Sequence, residues 1–421
     1  VQHLNDNPAR NSVHVRHATH LPRHRISHSI IVALAAFAGF ALVLLQTNLF
    51  LVNGAIDKQN ISGLIGPTSA PRDIDNDGIA DIAAGDAVNI LLLGSDVRDG
   101  ENGLIGGVVG GMRSDTTIIM HISADRSRVE FVSIPRDSRV KISDCQFFDG
   151  STARGWTTKF NTAFSIGAAN GNVAEAAACT AKTIYDLTGL LVDHYAVVDF
   201  TGFRDMVDAI DGVPMCIVND VRSSKAQLDL QAGPQVLDGT QALAFARART
   251  GTGLGDGSDL GRIERQQELM RNTLRKVLGM NLFTDATGLT QFVKAGASSL
   301  STDETLGNVS FMVGLAYSLR NFDTANLQMI TVPWAYPGDG SGDVVWTEEA
   351  DALWAALIND RPVPNPDAEP SPTPTPTPVP SGTPEPSPTG PGTPGTPDPE
   401  PSVTPSPLRE TEQDILDSCD I

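Results

Sequence analysis

Six charged side chains sit at the ends of three apolar runs within Asn89–Val140: Asp96, Arg98, Arg113, Asp115, Arg136 and Asp137. The runs Ile90–Leu93, Thr116–Ile122 and Val129–Ile134 read as β-strands, and strand ends on a rigid scaffold are where functional groups collect. Carboxylates and guanidiniums gathered this way suit a divalent metal with a phosphate-bearing ligand. Asp96 leaves the first strand and Asp115 enters the second, so paired strands bring both to one rim. Mg²⁺ takes one or two carboxylates and completes its shell with phosphate oxygens and water. On spacing alone the two aspartates serve equally well as turn caps on backbone N–H groups.

Arginines later in the chain move the balance toward phosphate. Arg136 follows Pro135 at a strand end, and Arg247 and Arg249 close an Ala-rich helix. Residues two apart do not share a helix face, so the chain is expected to leave the helix there and turn both guanidiniums one way. Arg262 and Gln266, four apart, do share a face. Guanidinium forks match phosphate oxygens and keep their charge at any working pH, which makes the set a pyrophosphate clamp. Other chemistries lack their motifs: there is no G-x-S-x-G, Walker A, H-E-x-x-H or Rossmann fingerprint. Beyond the first 28 residues the only histidines are His121 and His194, and His194, at a strand start, reads as structural.

The elements that must position these groups alternate. After the three strands comes a loop through Cys145 and Gly155–Asn161, then a helix Val173–Leu187, a strand His194–Phe200 and a helix Phe203–Ile210. A strand Val213–Val218 precedes a helix Thr240–Arg249. A long helix Arg262–Met280 carries an apolar stripe of Ile263, Met270, Leu274 and Val277. Helices Leu289–Leu300 and Leu306–Leu319, a strand Leu327–Val332 and a helix Glu348–Leu357 complete a domain over 87–361. Such alternation predicts an α/β sandwich with a sheet between helical layers. The insert Gly103–Gly111 reads as a mobile lip, since nothing in it can hold a metal.

Around this domain the composition changes. Residues 1–28 form a polar tail predicted to be cytoplasmic. Ile30–Val52, within a segment 29–52, is mostly apolar and free of charge, and about 23 residues at helical rise span roughly 35 Å, enough for a bilayer core. Basic residues before it predict an N-in, single-pass anchor with the remainder extracellular. The connector 53–86 holds Asp73–Asp81, spaced like the start of a calcium loop, but Ala84 stands where the bidentate Glu belongs. Residues 362–408 are Pro/Thr/Ser-rich and predict an extended polyproline-II spacer, followed by a polar segment 409–421. Cys145, Cys179, Cys216 and Cys419 allow three disulfide connectivities. Cys145–Cys179 with Cys216–Cys419 is preferred, and a free Cys419 is the alternative. A net charge of −20 argues against nucleic acid as a partner.

Together, NILLLGSDVR, RSDTTI, SIPRDSRV, KFNTAF, HYAVVDFTGF, the Asp211-Gly-Val turn, LDGTQALAFARAR and SDLGRIERQQ resemble the LytR-CpsA-Psr family of cell-wall glycopolymer ligases, in the family's order over about Ala87–Met280. Cys179 in AACT and Cys216 after Val-Pro-Met resemble its actinobacterial branch. The resemblance implies an α/β/α sandwich with a central mixed sheet and an apolar pocket for a polyprenyl chain. It implies transfer of a glycan phosphate from a polyprenyl-pyrophosphate carrier to a wall acceptor, a peptidoglycan muramic-acid hydroxyl or a surface protein. By motif, Asp96 and Asp115 would coordinate Mg²⁺ (or Mn²⁺). Arg136, Arg247, Arg249, Arg262 and Gln266 would hold the pyrophosphate, joined by Arg98 and Arg113. An aspartate among Asp96, Asp115 and Asp137 would take the acceptor proton. The long insert after Asp96 and the extra residues Gly251–Gly257 depart from the family beside this site. The competing reading is a non-catalytic wall-associated protein that binds polyprenyl pyrophosphate without turnover. A membrane-bound transcriptional regulator would need a cytoplasmic DNA-binding domain, which a 28-residue tail cannot supply.

Overall fold

The computed structural model describes residues 54–66, 85–95, 112–254, 259–279, 294–297, 299–319, 321–364 and Cys419. They belong to one compact unit, Val52–Ile421. The expected membrane span Ile30–Val52, the Asp73–Asp81 stretch, Asp96, Arg98, the Gly103–Gly111 insert and nearly all of the Pro/Thr/Ser-rich segment lie outside the described residues. Among the described residues no helix is long and apolar enough to cross a membrane.

In chain order the elements used below are β1 (Asp57–Lys58), α1 (Ser62–Ile65), β2 (Val88–Ser95), β3 (Ser114–Ile122), β4 (Val129–Ser133), β5 (Arg139–Lys141) and β6 (Thr157–Lys159). Next come α2 (Thr162–Gly167), α3 (Val173–Thr188), β7 (His194–Asp199), α4 (Phe200–Ala209), β8 (Val213–Ile217), β9 (Gly233–Leu237) and α5 (Gly239–Arg247). The last are α6 (Asp259–Gly279), β10 (Leu300–Thr302), α7 (Val309–Ser318), β11 (Leu327–Thr331), β12 (Trp334–Ala335), β13 (Val345–Trp346) and α8 (Glu348–Ile358).

A seven-stranded mixed sheet in the order β1-β10-β7-β2-β3-β4-β11 forms the frame. β2 pairs antiparallel with β3 and parallel with β7, and β4 pairs antiparallel with β3 and parallel with β11. Both faces are covered, which is why the central strands read as unbroken apolar runs. Leu91, Leu93, Ile119 and Val132 point to one face, against Ala177, Ala181 and Ile184 of α3 and Trp354 of α8. Ile90, Ile118, Ile122 and Phe131 point to the other, against Met270 and Leu274 of α6 and Phe311 and Leu315 of α7. A satellite core joins α4, α5 and the β8–β9 hairpin to Leu269 and Val277 of α6. The apolar stripe read along this helix is therefore shared between two cores.

Local signals place the helix ends. Asn172 accepts from the backbone N–H groups of Ala174 and Glu175 to start α3, and Gly189, at φ 77°, stops it. Asp238 and Gln241 form a capping box at the start of α5. One expectation is corrected. Leu300, read as the end of a helix, begins β10, wedged between β1 and β7; three extended residues are too few to show an alternating pattern. Between the expected loop and the helix Val173–Leu187, Thr162–Gly167 adds a short helix that buries Ala163 and Phe164.

The preferred cysteine pairs are brought together, with Cα–Cα distances of 5.1 Å for Cys145–Cys179 and 5.4 Å for Cys216–Cys419. His194 sits in a structural setting, with Nδ1 3.1 Å from Asp303 Oδ1 and its ring edge-on to Phe311.

Candidate functional site

The site begins with a fault in the β2–β3 ladder. Gly94 pairs with Thr116 and Ser95 with Ser114, so Asp115 is the extra residue of a β-bulge. A bulge frees one residue from the ladder and re-aims its side chain. The Asp115 carboxylate accordingly meets guanidiniums from three separate elements. Arg136, on the turn after β4, donates from Nη1 to Oδ1 at 2.9 Å. Arg249, just past α5, donates from Nη2 to Oδ2 at 3.3 Å. Arg262, in the second turn of α6, has Nη1 3.9 Å from Oδ2 and donates from Nη2 to the Asp115 carbonyl at 3.1 Å.

Burial pushes the Asp115 carboxyl upward, but the charges of Arg262, Arg136 and Arg249 outweigh it and hold the group below its ordinary value. It stays ionised. Three guanidiniums thus converge on one carboxylate, and Arg262 is only 2 % exposed. Such a nest favours an anion that can accept several guanidinium forks, as phosphate does.

The positions of Arg247 and Arg249 follow from the end of α5. Ala248 is extended, at φ −61° and ψ 130°, so the chain leaves the helix between the two arginines. Arg247 lies 4.2 Å over the ring of Phe200, at the start of α4, while Arg249 reaches Asp115. Gln266 donates to the Ala246 carbonyl at 3.0 Å, and Arg265 donates to the carbonyls of Ala248 and Leu254. Gln266 also lines a small pocket with Asp115, Thr116, Thr117, Ser133, Arg136 and Ile263. Arg113 is exposed just before β3.

Asp137 has both carboxylate oxygens engaged by cations. Arg136 Nε lies 3.3 Å from Oδ2 and Lys159 Nζ 2.7 Å from Oδ1. The two contacts fix this carboxylate in place, and it in turn orients Arg136. Lys159, on β6, is held charged by its hydrogen bond to Asp137. Lys159 lies inside KFNTAF with no pattern in the sequence to mark it for the site. The same holds for Arg265 and for Gln267, whose amide bridges Ser133 and Thr331 at the ends of β4 and β11.

Among the described residues no cluster of three or more His, Cys, Asp or Glu side chains could hold a metal alone. The donor set still fits Mg²⁺ arriving with an anion. Asp115 supplies one hard oxygen ligand, and a pyrophosphate settled among the arginines would supply the others.

The chain matches the LytR_cpsA_psr family model over residues 58–357. It belongs to the LytR_cpsA_psr family. Among family relatives, the cell wall biosynthesis protein LcpA of Corynebacterium glutamicum is 32% identical over 288 residues, covering 63% of this chain and 54% of that protein. The chain thus spans about half the length of this relative. A polyisoprenyl-teichoic acid–peptidoglycan teichoic acid transferase, TagU of Bacillus anthracis, is 27% identical over 290 residues, 69% of this chain and 80% of TagU. Of solved structures, the LytR-Csp2A-Psr enzyme from Actinomyces oris superposes with a TM-score of 0.50 at 20% identity, covering 72% of this chain and 96% of its own. Protein gbs0355 from Streptococcus agalactiae gives 0.52 at 20% identity, over 66% and 90%. At that identity the likeness concerns the fold, an α/β domain with a central mixed sheet.

Proposed function

We propose that this LytR_cpsA_psr domain is a phosphotransferase that moves a glycopolymer phosphate from a polyprenyl-pyrophosphate carrier to a cell-wall acceptor hydroxyl, on peptidoglycan muramic acid or a surface protein. The observation that carries the reading is the convergence of Arg136, Arg249 and Arg262 on the bulged Asp115. The name of TagU, a teichoic acid transferase, supports the same reaction class. The expected N-terminal membrane helix would place the domain outside the cell, beside its lipid donor. Face-lining side chains that stay partly exposed between sheet, α6 and α7, such as Leu92, Met120, Met270 and Met312, suit an apolar chain.

Phosphoryl transfer depends mainly on positioning and charge neutralisation. The arginines hold the pyrophosphate and take up charge as the bond to the polyprenyl phosphate breaks. The acceptor oxygen attacks the glycan-side phosphorus, a phosphodiester forms, and polyprenyl phosphate departs. Its hydroxyl proton passes to an aspartate. The candidates for that base are Asp96, Asp115 and Asp137. Asp96 and Asp115 would hold Mg²⁺ or Mn²⁺, which would add charge stabilisation to the bound pyrophosphate. Arg247, near Phe200, Arg113, just before β3, and Arg98, carried over by motif alone, complete the proposed anion set.

The test is incubation of the purified protein with Mg²⁺ and a polyprenyl-pyrophosphoryl glycan, following polyprenyl phosphate by mass spectrometry. Release in the wild type, with a loss of about 10²–10³-fold in Arg136→Ala, supports the reading. Unchanged transfer in both Arg136→Ala and Arg249→Ala overturns the clamp. Binding without release favours the non-catalytic alternative.

A further inference from the structure

A line of alternating charge runs outward from the rim, away from the residues that face phosphate. It passes from Asp115 to Arg136, Asp137, Lys159, Asp343, Arg139 and Asp339. Lys159 Nζ lies 3.5 Å from Asp343 Oδ1 as well as 2.7 Å from Asp137. Arg139 Nε lies 2.9 Å from Asp343 Oδ2 and Nη1 2.7 Å from Asp339 Oδ2, while Nη2 donates to Ser341 Oγ at 2.6 Å. All three nitrogens of one guanidinium are thus engaged by one short loop.

The sequence of that loop, Gly338-Asp-Gly-Ser-Gly-Asp343, accounts for its shape. Gly338, Gly340 and Gly342 adopt φ of 76°, 72° and 74°, a region side chains disfavour. Alternating left-handed glycines curl the backbone so that Asp339, Ser341 and Asp343 close around Arg139. The acidic pair is filled by that guanidinium and is not a vacant cation site.

Backbone contacts bind the same loop to the turn that carries Arg136. Arg139 N–H donates to the Val344 carbonyl at 2.7 Å, and Val344 N–H donates to the Asp137 carbonyl at 3.2 Å. Trp346 Nε1 donates to Ser138 Oγ at 3.0 Å. On the other side, Phe160 and Asn161 N–H groups donate to the carbonyls of Ser138 and Arg136 at 2.8 and 3.1 Å. The Arg136 turn is clamped between two segments, and Asp343 and Lys159 connect them across its end. Asp343 and Asp137 are only 15 % and 17 % exposed, so water competes weakly for these contacts.

We propose that Arg139 and Asp343 are positioning residues that fix Lys159 and Asp137 and, through them, aim the Arg136 guanidinium at the pyrophosphate. The inference rests on the phosphate-binding reading of the site. Neither residue touches the ligand. Their contribution is to hold a transferring group's partner within the narrow range of geometry that phosphate recognition requires.

The experiment is isothermal titration of the full-length protein with inorganic pyrophosphate in two backgrounds. In the wild-type background, Asp343→Asn and Arg139→Lys each weaken binding about tenfold, since an ammonium cannot span Asp339, Ser341 and Asp343 together. In the Arg136→Ala background, Asp343→Asn weakens binding no further, because its effect runs through Arg136. Equal losses in both backgrounds overturn the proposal, as does unchanged binding in both single variants. If Asp343→Asn fails to fold, Ser341→Ala, which removes one bond from the same fork, takes its place in the cycle. Failure of the site reading looks different: Arg136→Ala and Arg249→Ala would both keep wild-type affinity.

Discussion

Arg262 grips Asp115 twice: Nη2 donates to its carbonyl at 3.1 Å, and Nη1 lies 3.9 Å from its carboxylate. One buried guanidinium therefore fixes both the backbone of the bulge and the side chain that the bulge redirects. It also ties α6 to the end of β3, beside the contacts that Arg136 and Arg249 make to the same carboxylate.

Replacing Arg262 by Lys keeps the charge and loses the fork. The Asp115 carbonyl loses its side-chain donor in a place poorly reached by water, so the variant is expected to lose about 1–3 kcal/mol of stability. Urea unfolding measures this loss, and pyrophosphate titration should show weaker binding in the same variant.

Asp115 also predicts a response to acid. Its folded-state pKa is held below the ordinary value of 3.8 by Arg262, Arg136 and Arg249 against the opposing effect of burial. A depressed carboxyl contributes stability above its unfolded pKa and loses it as pH falls through the folded value. The stability advantage of wild type over Asp115→Asn should be full at pH 6 and shrink on acidification below about pH 4. Denaturant curves at a series of pH values check it, and an advantage that grows in acid would contradict the charge assignment.

Gly167 sits where α2 meets α3. A methyl group there would lie 2.5 Å from the Glu175 carbonyl oxygen and 2.7 Å from Cys179 Cβ. The opposing atoms include helix backbone, which cannot swing aside. Gly167→Ala should cost about 1–3 kcal/mol, read as a lowered thermal midpoint.

At the other end of the sheet, Arg128 Nη1 donates to Glu130 at 2.7 Å and Nη2 to Asp360 at 2.8 Å, with His121 3.2 Å from the same aspartate. Glu130 is fully buried. Glu130→Ala would strip Arg128 of a buried counter-charge and should cost about 3 kcal/mol. Chemical denaturation gives the value, and pyrophosphate affinity should stay unchanged because the network lies away from the rim.

The frame was legible because β2, β3 and β4 are apolar runs with charged ends, a pattern that survives without knowledge of pairing. Asp115 and Arg136 stand out as charged residues at strand ends, and Arg249 and Arg262 as arginines past a helix end and on a helix face. The bulge was not legible, since it exists only in the register between Gly94–Ser95 and Ser114–Thr116. Lys159 escaped notice on a three-residue strand with no periodicity to mark it, and Arg265 because its partners are backbone carbonyls that every sequence has. The pairing of Asp137 with Lys159, 22 positions away, emerges only in three dimensions. Asp96 and Arg98 enter the site by motif alone.

The Cys216–Cys419 link joins β8 to a residue 203 positions later. A peptidase cutting once anywhere between these two cysteines, including inside the Pro/Thr/Ser-rich stretch, would leave both fragments covalently joined. Such a nick would release no fragment, and only reduction would reveal it as two bands on a gel.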